Sequence, residues 1–189
     1  RIWGHRPSQI DEINQKHTNH KYLPNHILPE SIHAFSEMEQ AVQDIDAVLF
    51  VVPTKAIRSV ATELIDKLNT KPVIIHASKG LEQQTHKRIS EILLEELPNE
   101  KRQAVAVLSG PSHAEEVAKH DITTITAAST DHKAAVFVQE LFMNHYFRIY
   151  TNPDVIGVEM GAALKNIIAL GVGAIHGLGF GDNAKAAIM

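Results

Sequence analysis

One lysine lies on a predicted helical stripe of very small side chains. Gly157, Gly161, Lys165, Ala169 and Gly173 are each four residues apart, so on an α-helix they fall near one slowly rotating face. A flat ligand or another backbone could approach such a stripe closely, and the lysine could exchange a proton with that ligand. The same spacing also fits a close helix–helix contact in which the lysine reaches water, and periodicity alone leaves both interpretations open.

A second lysine follows a predicted buried strand. Lys79 comes directly after the apolar run Pro72–Ser78 and precedes a glycine. The carboxyl ends of the strands form the ligand crevice of an open α/β sheet. We therefore expect this lysine to contact an anionic or carbonyl oxygen, with an ordinary surface turn as the alternative.

Two further segments have the pattern of anion or nucleotide sites. After a predicted strand, Gly110 and Pro111 lead into a helix expected to start near Ser112, with Glu115 placed for a capping box. Free N–H groups at a helix start attract anions. The segment Trp3–Pro7 (WGHRP) predicts a strand end followed by a cationic turn, which in dinucleotide-binding folds can hold a 2′-phosphate. A simple capped helix and a simple basic turn are the alternatives.

Composition limits the chemistry. The chain of 189 residues has no cysteine, so it forms no disulfide or thiolate site, which fits a reducing cytoplasm. Its 12 histidines include no HExxH motif and no compact cluster with carboxylates, so we predict no metal site. The net charge of −4 argues against a nucleic-acid partner, which would require a dense basic face.

The elements that must position these residues alternate between strands and helices. Five apolar runs, most of them continuous, predict strands covered on both faces: Ala47–Pro53, Pro72–Ser78, Ala104–Leu108, Ile122–Ala127 and Phe147–Tyr150. Amphipathic segments predict helices at Lys55–Leu68, Glu82–Leu97 and Asp131–Met143, with Thr54 and Thr130 as N-caps. This order predicts an α/β fold with a Rossmann-like, doubly wound parallel sheet.

The composition changes after Tyr150. From Val155 to Gly181 the only formal charges are Glu159 and Lys165. We interpret this stretch as a buried helix that begins an all-α substrate domain, and divide the chain into residues 1–150 and 151–189. A transmembrane span is the alternative. Placing Lys165 near mid-bilayer would cost about 2.5–3.5 kcal/mol, so we expect no stable membrane insertion.

Taken in order, these segments resemble the bacterial NAD(P)-dependent glycerol-3-phosphate dehydrogenases. The matching strings span nearly the whole chain: WGHRP, KYLP, VVPTKAIR, ASKGLE, LSGPSHAEEVA, RIYTNPDVIGVEMGAALKNIIALGVG and GFGDNAKAAIM. The resemblance implies an oxidoreductase that interconverts sn-glycerol 3-phosphate and dihydroxyacetone phosphate with NADP or NAD as its cofactor. It also implies a role in phospholipid synthesis and a homodimer for the full-length protein.

The resemblance implies a role for each candidate residue. Lys165 matches the catalytic lysine, which accepts the hydroxyl proton as hydride leaves the substrate. The matched substrate-binding residues are Lys79, Gly110, Ser112 and Lys165, and the matched cofactor-binding residues are His5, Arg6, Tyr22, Lys79 and Ala114. We expect the two lysines to meet across the cleft between the two domains, where like charges favour the loss of a proton from one of them.

The match departs from the family pattern at both ends. The GxGxxG turn, and the helices that carry an aspartate and an Arg-Asn pair for the substrate phosphate, are absent from these 189 residues. This predicts that the chain is the middle part of an enzyme and that by itself it is nearly inactive. The alternatives are a β-hydroxyacid or 6-phosphogluconate-type dehydrogenase, against which LSGPSHAEE and KYLP argue, and a non-catalytic dinucleotide-binding fragment.

Overall fold

Neighbouring residues of the central strands point to opposite sides of one sheet, and both sides are apolar. In this computed structural model, which describes residues 1–189, Ile74 packs in one buried cluster, whereas Val73 and Ile75 pack in another. This alternation follows from the two-residue period of a strand. It agrees with the two-sided burial that continuous apolar runs predict.

The first part of the chain contains two small sheets. Its elements are β1 (Ile2–Trp3), α1 (Pro7–Lys16), β2 (Thr18–Asn19), β3 (Leu23–Ile27), β4 (Ala34–Phe35) and α2 (Met38–Ala41). Strands β1 and β4 pair in parallel, and β2 and β3 pair antiparallel. The segment Trp3–Pro7 thus contains the end of a parallel strand, as its sequence predicts.

Five strands form the central sheet and lie side by side in chain order. The strands and the intervening helices are β5 (Ala47–Phe50), α3 (Ile57–Ile65), β6 (Val73–His76), α4 (Ile89–Glu96), β7 (Ala104–Ser109), α5 (Ala114–Ala118), β8 (Thr123–Ala128), α6 (His132–Phe142) and β9 (Phe147–Asn152). A short 3₁₀ turn, Thr54–Ala56, precedes α3. Each strand lies on a predicted apolar run, and the α/β fold is confirmed.

One strand pair departs from the predicted parallel order. Strands β5, β6 and β7 are parallel to one another, as are β8 and β9, but β7 and β8 are antiparallel. A parallel crossover must return the chain along the whole strand, usually through a helix. Helix α5 has five residues and spans only about 7.5 Å at 1.5 Å per residue. The chain therefore turns back at the same edge of the sheet.

The predicted helix at Glu82–Leu97 begins later than its apolar pattern suggests. Helix α4 starts at Ile89, with Arg88 as its N-cap, and residues 77–88 form a loop. Within that loop His86 has a positive φ of 58°, a left-handed conformation that does not fit an α-helix. The loop separates Lys79 from the helix and leaves it at the end of β6.

Neither predicted threonine cap forms. The hydroxyl of Thr54 donates to the carbonyl of Lys79 at 2.8 Å and does not cap a helix. Helix α6 is capped by Asp131 rather than Thr130, because the Asp131 carboxylate accepts a hydrogen bond from the Lys133 N–H. A carboxylate is a strong N-cap acceptor, so α6 begins one residue later than predicted.

A long helix, α7 (Val155–Gly177), follows β9 and leads to the short α8 (Asp182–Ala186). The carboxylate of Asp154 caps α7 by accepting from the Gly157 N–H at 2.8 Å. A Cβ at residue 157 would lie 2.2 Å from that carboxylate. A larger residue at this position would force the Asp154 side chain to shift.

The predicted burial of this helix is wrong. Glu159 is the only buried residue of α7, and apolar side chains such as Ile167 and Leu170 are 68% and 76% exposed. Among the helices and strands, α7 makes its main contacts with β7, β8 and α8, so most of its apolar surface has no partner within these residues. By length and composition α7 could cross a membrane, a test that core helices of soluble proteins also pass.

Ion pairs join α3 to the loop before α4 and to α4 itself. The Arg58 guanidinium donates two hydrogen bonds to Glu82, each of 2.9 Å, and one of 3.1 Å to Glu95, and it also contacts Glu96. The hydrogen bonds from Arg58, followed by the one from Thr85, lower the pKa of Glu82 to about 2. The ionised form of this carboxylate is thus the one that the fold stabilises.

Arg58→Met tests this network through its pH dependence. The pKa of Glu82 is about 2 in the fold, below its ordinary value of about 4.3. The ionised Glu82 therefore contributes its full stabilisation to the fold above about pH 5. This contribution declines as the pH falls from the ordinary pKa of glutamate towards the lower pKa of Glu82 in the fold. We expect the variant to melt at a lower temperature at pH 7, with the difference narrowing between pH 5 and pH 3. Circular dichroism melts that show a constant difference would contradict this account.

Candidate functional site

The carboxyl ends of three parallel strands bring two predicted substrate-binding residues together. The Lys79 ammonium, after β6, lies 3.4 Å from the carbonyl oxygen of Gly110, after β7, and donates to it. On the other side, the Ser78 hydroxyl donates to the Val52 carbonyl, after β5, at 2.6 Å. The loop of Lys79 is thus attached to both neighbouring strand ends, as expected for the ligand edge of an open sheet.

Glycine makes the turn after Lys79 possible. Gly80 has a φ of +111°, a conformation that side chains with a Cβ rarely adopt. The chain can therefore leave the end of β6 sharply, and Lys79 remains exposed at the sheet edge.

The charge of Lys165 acts on Lys79. Partial desolvation of its amine by the sheet end lowers the pKa of Lys79, and repulsion from the Lys165 ammonium lowers it further, because a nearby positive charge disfavours the protonated amine. Lys165 itself is exposed on α7. The structure therefore places two lysines from distant parts of the chain in one electrostatic environment.

The small-residue stripe of α7 is open. A Cβ added at Gly161 or Gly173 would meet no atom within 4 Å, so the stripe makes no close helix contact within this chain. A groove of about 590 Å³ runs along it towards α8 and is lined by Lys165, Ala169, His176 and Lys185, among others. The groove offers cationic groups to an anionic ligand.

Ser112 and Ala114 lie in the exposed segment between β7 and β8. Helix α5 starts at Ala114, its N-cap is His113, and no side chain caps it. The predicted start at Ser112 and the capping box with Glu115 are wrong. Helix α5 has only five residues and packs against β3.

The predicted nucleotide-binding residues Arg6 and Tyr22 contact each other. The Arg6 guanidinium donates to the Tyr22 hydroxyl at 2.8 Å, and this hydrogen bond lowers the pKa of Tyr22, with smaller contributions from the charges of Arg6 and Lys21. His5 lies beside them, exposed after β1. A guanidinium and a phenol at the end of a parallel strand fit the ribose or 2′-phosphate of a dinucleotide.

Sequence reasoning missed one further residue. Glu159 is 6% exposed, and its Oε1 accepts from the Ser90 N–H at 2.8 Å. Its Oε2 accepts from the Arg88 guanidinium at 2.8 Å and from the Ser90 hydroxyl at 2.5 Å. The His76 Nε2 lies 3.2 Å from Oε1, without the alignment of a hydrogen bond. A lone carboxylate in an otherwise apolar helix was the signal that could have revealed it.

The neighbours of Glu159 keep it ionised. Burial raises the pKa of this carboxyl, but His76 and the two donors of Ser90 lower it by more, and the net pKa lies below its ordinary value. A buried charge of this kind persists only where donors replace its lost water.

Comparison with known proteins decides the family. A sequence profile described as "NAD-dependent glycerol-3-phosphate dehydrogenase N-terminus" matches residues 1–135, and its C-terminal counterpart matches residues 154–189. The chain belongs to the glycerol-3-phosphate dehydrogenase family. This assignment agrees with the resemblance of the sequence motifs.

Relatives and solved structures give the extent of the match. The glycerol-3-phosphate dehydrogenase [NAD(P)+] of Enterococcus faecalis is 76% identical over 188 residues, which cover all of this chain and 55% of that protein. The relative from Lactiplantibacillus plantarum is 63% identical and is covered to 57%. The crystal structure of the Coxiella burnetii glycerol-3-phosphate dehydrogenase has a TM-score of 0.86 at 33% identity, covering all of this chain and 57% of its own. The chain thus spans little more than half of these proteins.

Gly110→Ala tests the packing at the end of β7. A Cβ there would lie 2.6 Å from Cγ2 and 2.8 Å from Cα of Ile125 on β8, so β7 and β8 must separate. Overpacking of this kind costs about 1–3 kcal/mol, and we expect urea denaturation to show that loss. Gly161→Ala, where the Cβ meets nothing, is the control and should gain about 0.5–1 kcal/mol. Equal stability of the two variants would show that position 110 does not need a residue without a Cβ.

Proposed function

We propose that this chain carries the coenzyme-binding sheet and the proton-transferring lysine of an NAD(P)-dependent glycerol-3-phosphate dehydrogenase. The reaction is the interconversion of sn-glycerol 3-phosphate and dihydroxyacetone phosphate. The electrostatic coupling of Lys165 to Lys79 at the ligand edge of the sheet carries the proposal. Family membership favours this reaction over that of a 6-phosphogluconate-type dehydrogenase.

The two lysines divide the acid–base work. Oxidation of a secondary alcohol removes a hydride from carbon and a proton from oxygen, and the side-chain amine of Lys165 accepts that proton and returns it in the reverse direction. The Lys79 ammonium donates a hydrogen bond to the same substrate, where it favours negative charge on oxygen. The nicotinamide coenzyme, when bound, accepts the hydride.

Each remaining candidate residue has a place in this proposal. Gly110 and Ser112 bind the substrate at the end of β7. The coenzyme, NADP or NAD, is held by His5, Arg6, Tyr22, Lys79 and Ala114. The contact of Arg6 with Tyr22 and the packing of β3 against α5 support one continuous binding surface for these groups.

The proposed division of the chain has a dinucleotide-binding domain at residues 1–150 and the start of a helical substrate domain at 151–189. The last strand of the sheet ends at Asn152, and α7 begins at Val155, which supports a boundary there. For the full-length protein we propose a cytoplasmic homodimer that supplies glycerol phosphate for phospholipids. Glu159 ties α7 to charged groups of the sheet domain, which argues against membrane insertion of this helix.

Lys165→Ala tests the proton transfer. Loss of a general base lowers the rate about 10²–10⁴-fold, and we expect this fall in kcat for dihydroxyacetone phosphate reduction by the full-length gene product. Lys133→Ala, which removes an exposed lysine of α6, should retain full activity. Undiminished turnover in Lys165→Ala would disprove the role of this residue. Activity on 3-oxo acids in place of dihydroxyacetone phosphate would disprove the proposed substrate.

Arg6→Ala tests the coenzyme side. A charge-assisted hydrogen bond contributes about 1.5 kcal/mol or more, so losing a contact to the 2′-phosphate should raise the KM for NADPH roughly tenfold. The KM for NADH should change far less, because NADH lacks this phosphate. Steady-state kinetics with both coenzymes measure the difference. Equal changes for the two coenzymes would show that Arg6 does not contact a 2′-phosphate.

A further inference from the structure

The buried carboxylate of Glu159 contacts both ends of the loop that carries Lys79. This loop, residues 77–88, joins β6 to α4. At its start, His76 lies 3.2 Å from Glu159. At its end, Arg88 and Ser90 donate to the same carboxylate at 2.5–2.8 Å. One side chain of α7 therefore accepts hydrogen bonds from the end of the loop and lies within 3.2 Å of the residue before its start.

The same helix carries Lys165. Glu159 and Lys165 are six residues apart on α7, a rise of about 9 Å along a continuous helix. A helix transmits a fixed position along such a distance because its backbone hydrogen bonds keep it rigid. Fixing Glu159 therefore also fixes where the Lys165 side chain starts.

This contact is directional. Helix α7 also lies against β7 and β8, but Glu159 is its only buried residue, and apolar contacts would resist sliding weakly because the hydrophobic effect has no direction. Glu159 accepts from the Ser90 N–H in the first turn of α4, where the helix dipole favours an anion. Breaking a buried ionic contact of this kind is costly because it leaves a charge without a partner.

We propose that Glu159 is a positioning residue, which holds the loop of Lys79 and the helix of Lys165 in one fixed arrangement so that both lysines contact the same substrate. The proposal rests on the proposed function for the identity of that substrate. Its structural part, the arrangement of the two lysines, can be measured without turnover.

Glu159→Gln in the full-length gene product is the central variant. Glutamine keeps the size of the side chain but loses its charge and presents an amide N–H group to donors. Val138→Ala is the matched control, because Val138 is fully buried on α6, which carries neither lysine, and its truncation lowers stability without changing the loop or α7. Lys165→Ala provides the reference in which the second charge is absent.

The reactivity of Lys79 towards an acylating reagent, measured by mass spectrometry across a pH range, reports its titration midpoint. If Glu159 positions the pair, its loss lets Lys165 move away, and the Lys79 midpoint rises towards that of Lys165→Ala. Mere removal of a negative charge acts in the opposite direction, because it lowers the midpoint of a nearby lysine. The sign of the shift therefore separates a positioning role from a simple charge effect.

We expect Glu159→Gln to raise the Lys79 midpoint and to lower kcat at least tenfold, since small misplacements of reacting groups cost up to about 10²-fold. Val138→Ala should lower the melting temperature about as much as Glu159→Gln does, but should leave the Lys79 midpoint and kcat unchanged. An unchanged or lowered midpoint in Glu159→Gln would overturn the proposal, as would the same kcat loss in Val138→Ala. If Glu159→Gln does not fold, Ser90→Ala, which removes one hydrogen-bond donor to Glu159, should also raise the Lys79 midpoint, by a smaller amount.

Failure of the proposed function has a different signature. If the wild-type protein does not reduce dihydroxyacetone phosphate with either coenzyme, the reaction is wrong, yet the Lys79 midpoint still reports whether Glu159 holds the two lysines together.

Discussion

Keeping one carboxylate ionised away from water determines how the long helix meets the sheet. Glu159 can be buried only where several donors converge, and the start of α4 together with Arg88 provides such a place. A charge without these partners would be strongly destabilising. Within this chain, where Glu159 is the only buried residue of α7, these hydrogen bonds attach α7, and with it Lys165, to the sheet domain.

The sheet supplies the other half of the arrangement. Parallel strands bring their carboxyl ends to one edge, and Lys79 and Gly110 meet there because β6 and β7 are neighbours. Two glycines make this edge possible for different reasons. Gly80 permits the left-handed turn after Lys79, and Gly110 leaves room for Ile125 on the antiparallel strand β8. The lysine pair thus depends on backbone positions where any Cβ would interfere.

Local patterns in the sequence predicted the five strands of the central sheet and singled out the two lysines, because apolar runs, a lysine after a strand and a lysine on a stripe of small residues are visible within a few residues. Features set by distant contacts could not be predicted in this way. The late start of α4 depends on the left-handed turn at His86. The direction of β8, antiparallel to β7, depends on the short helix α5 before it. The donors of Glu159 lie about 70 positions away, so its burial has no local signal beyond its isolation in an apolar stretch.

A crystal structure of the full-length protein with dihydroxyacetone phosphate and a reduced coenzyme tests the central claim most directly. The account predicts that the ammonium groups of Lys79 and Lys165 both lie within hydrogen-bond distance, about 3 Å, of oxygens of one substrate molecule. A substrate bound by Lys79 alone, with the Lys165 side chain directed into solvent, would contradict it.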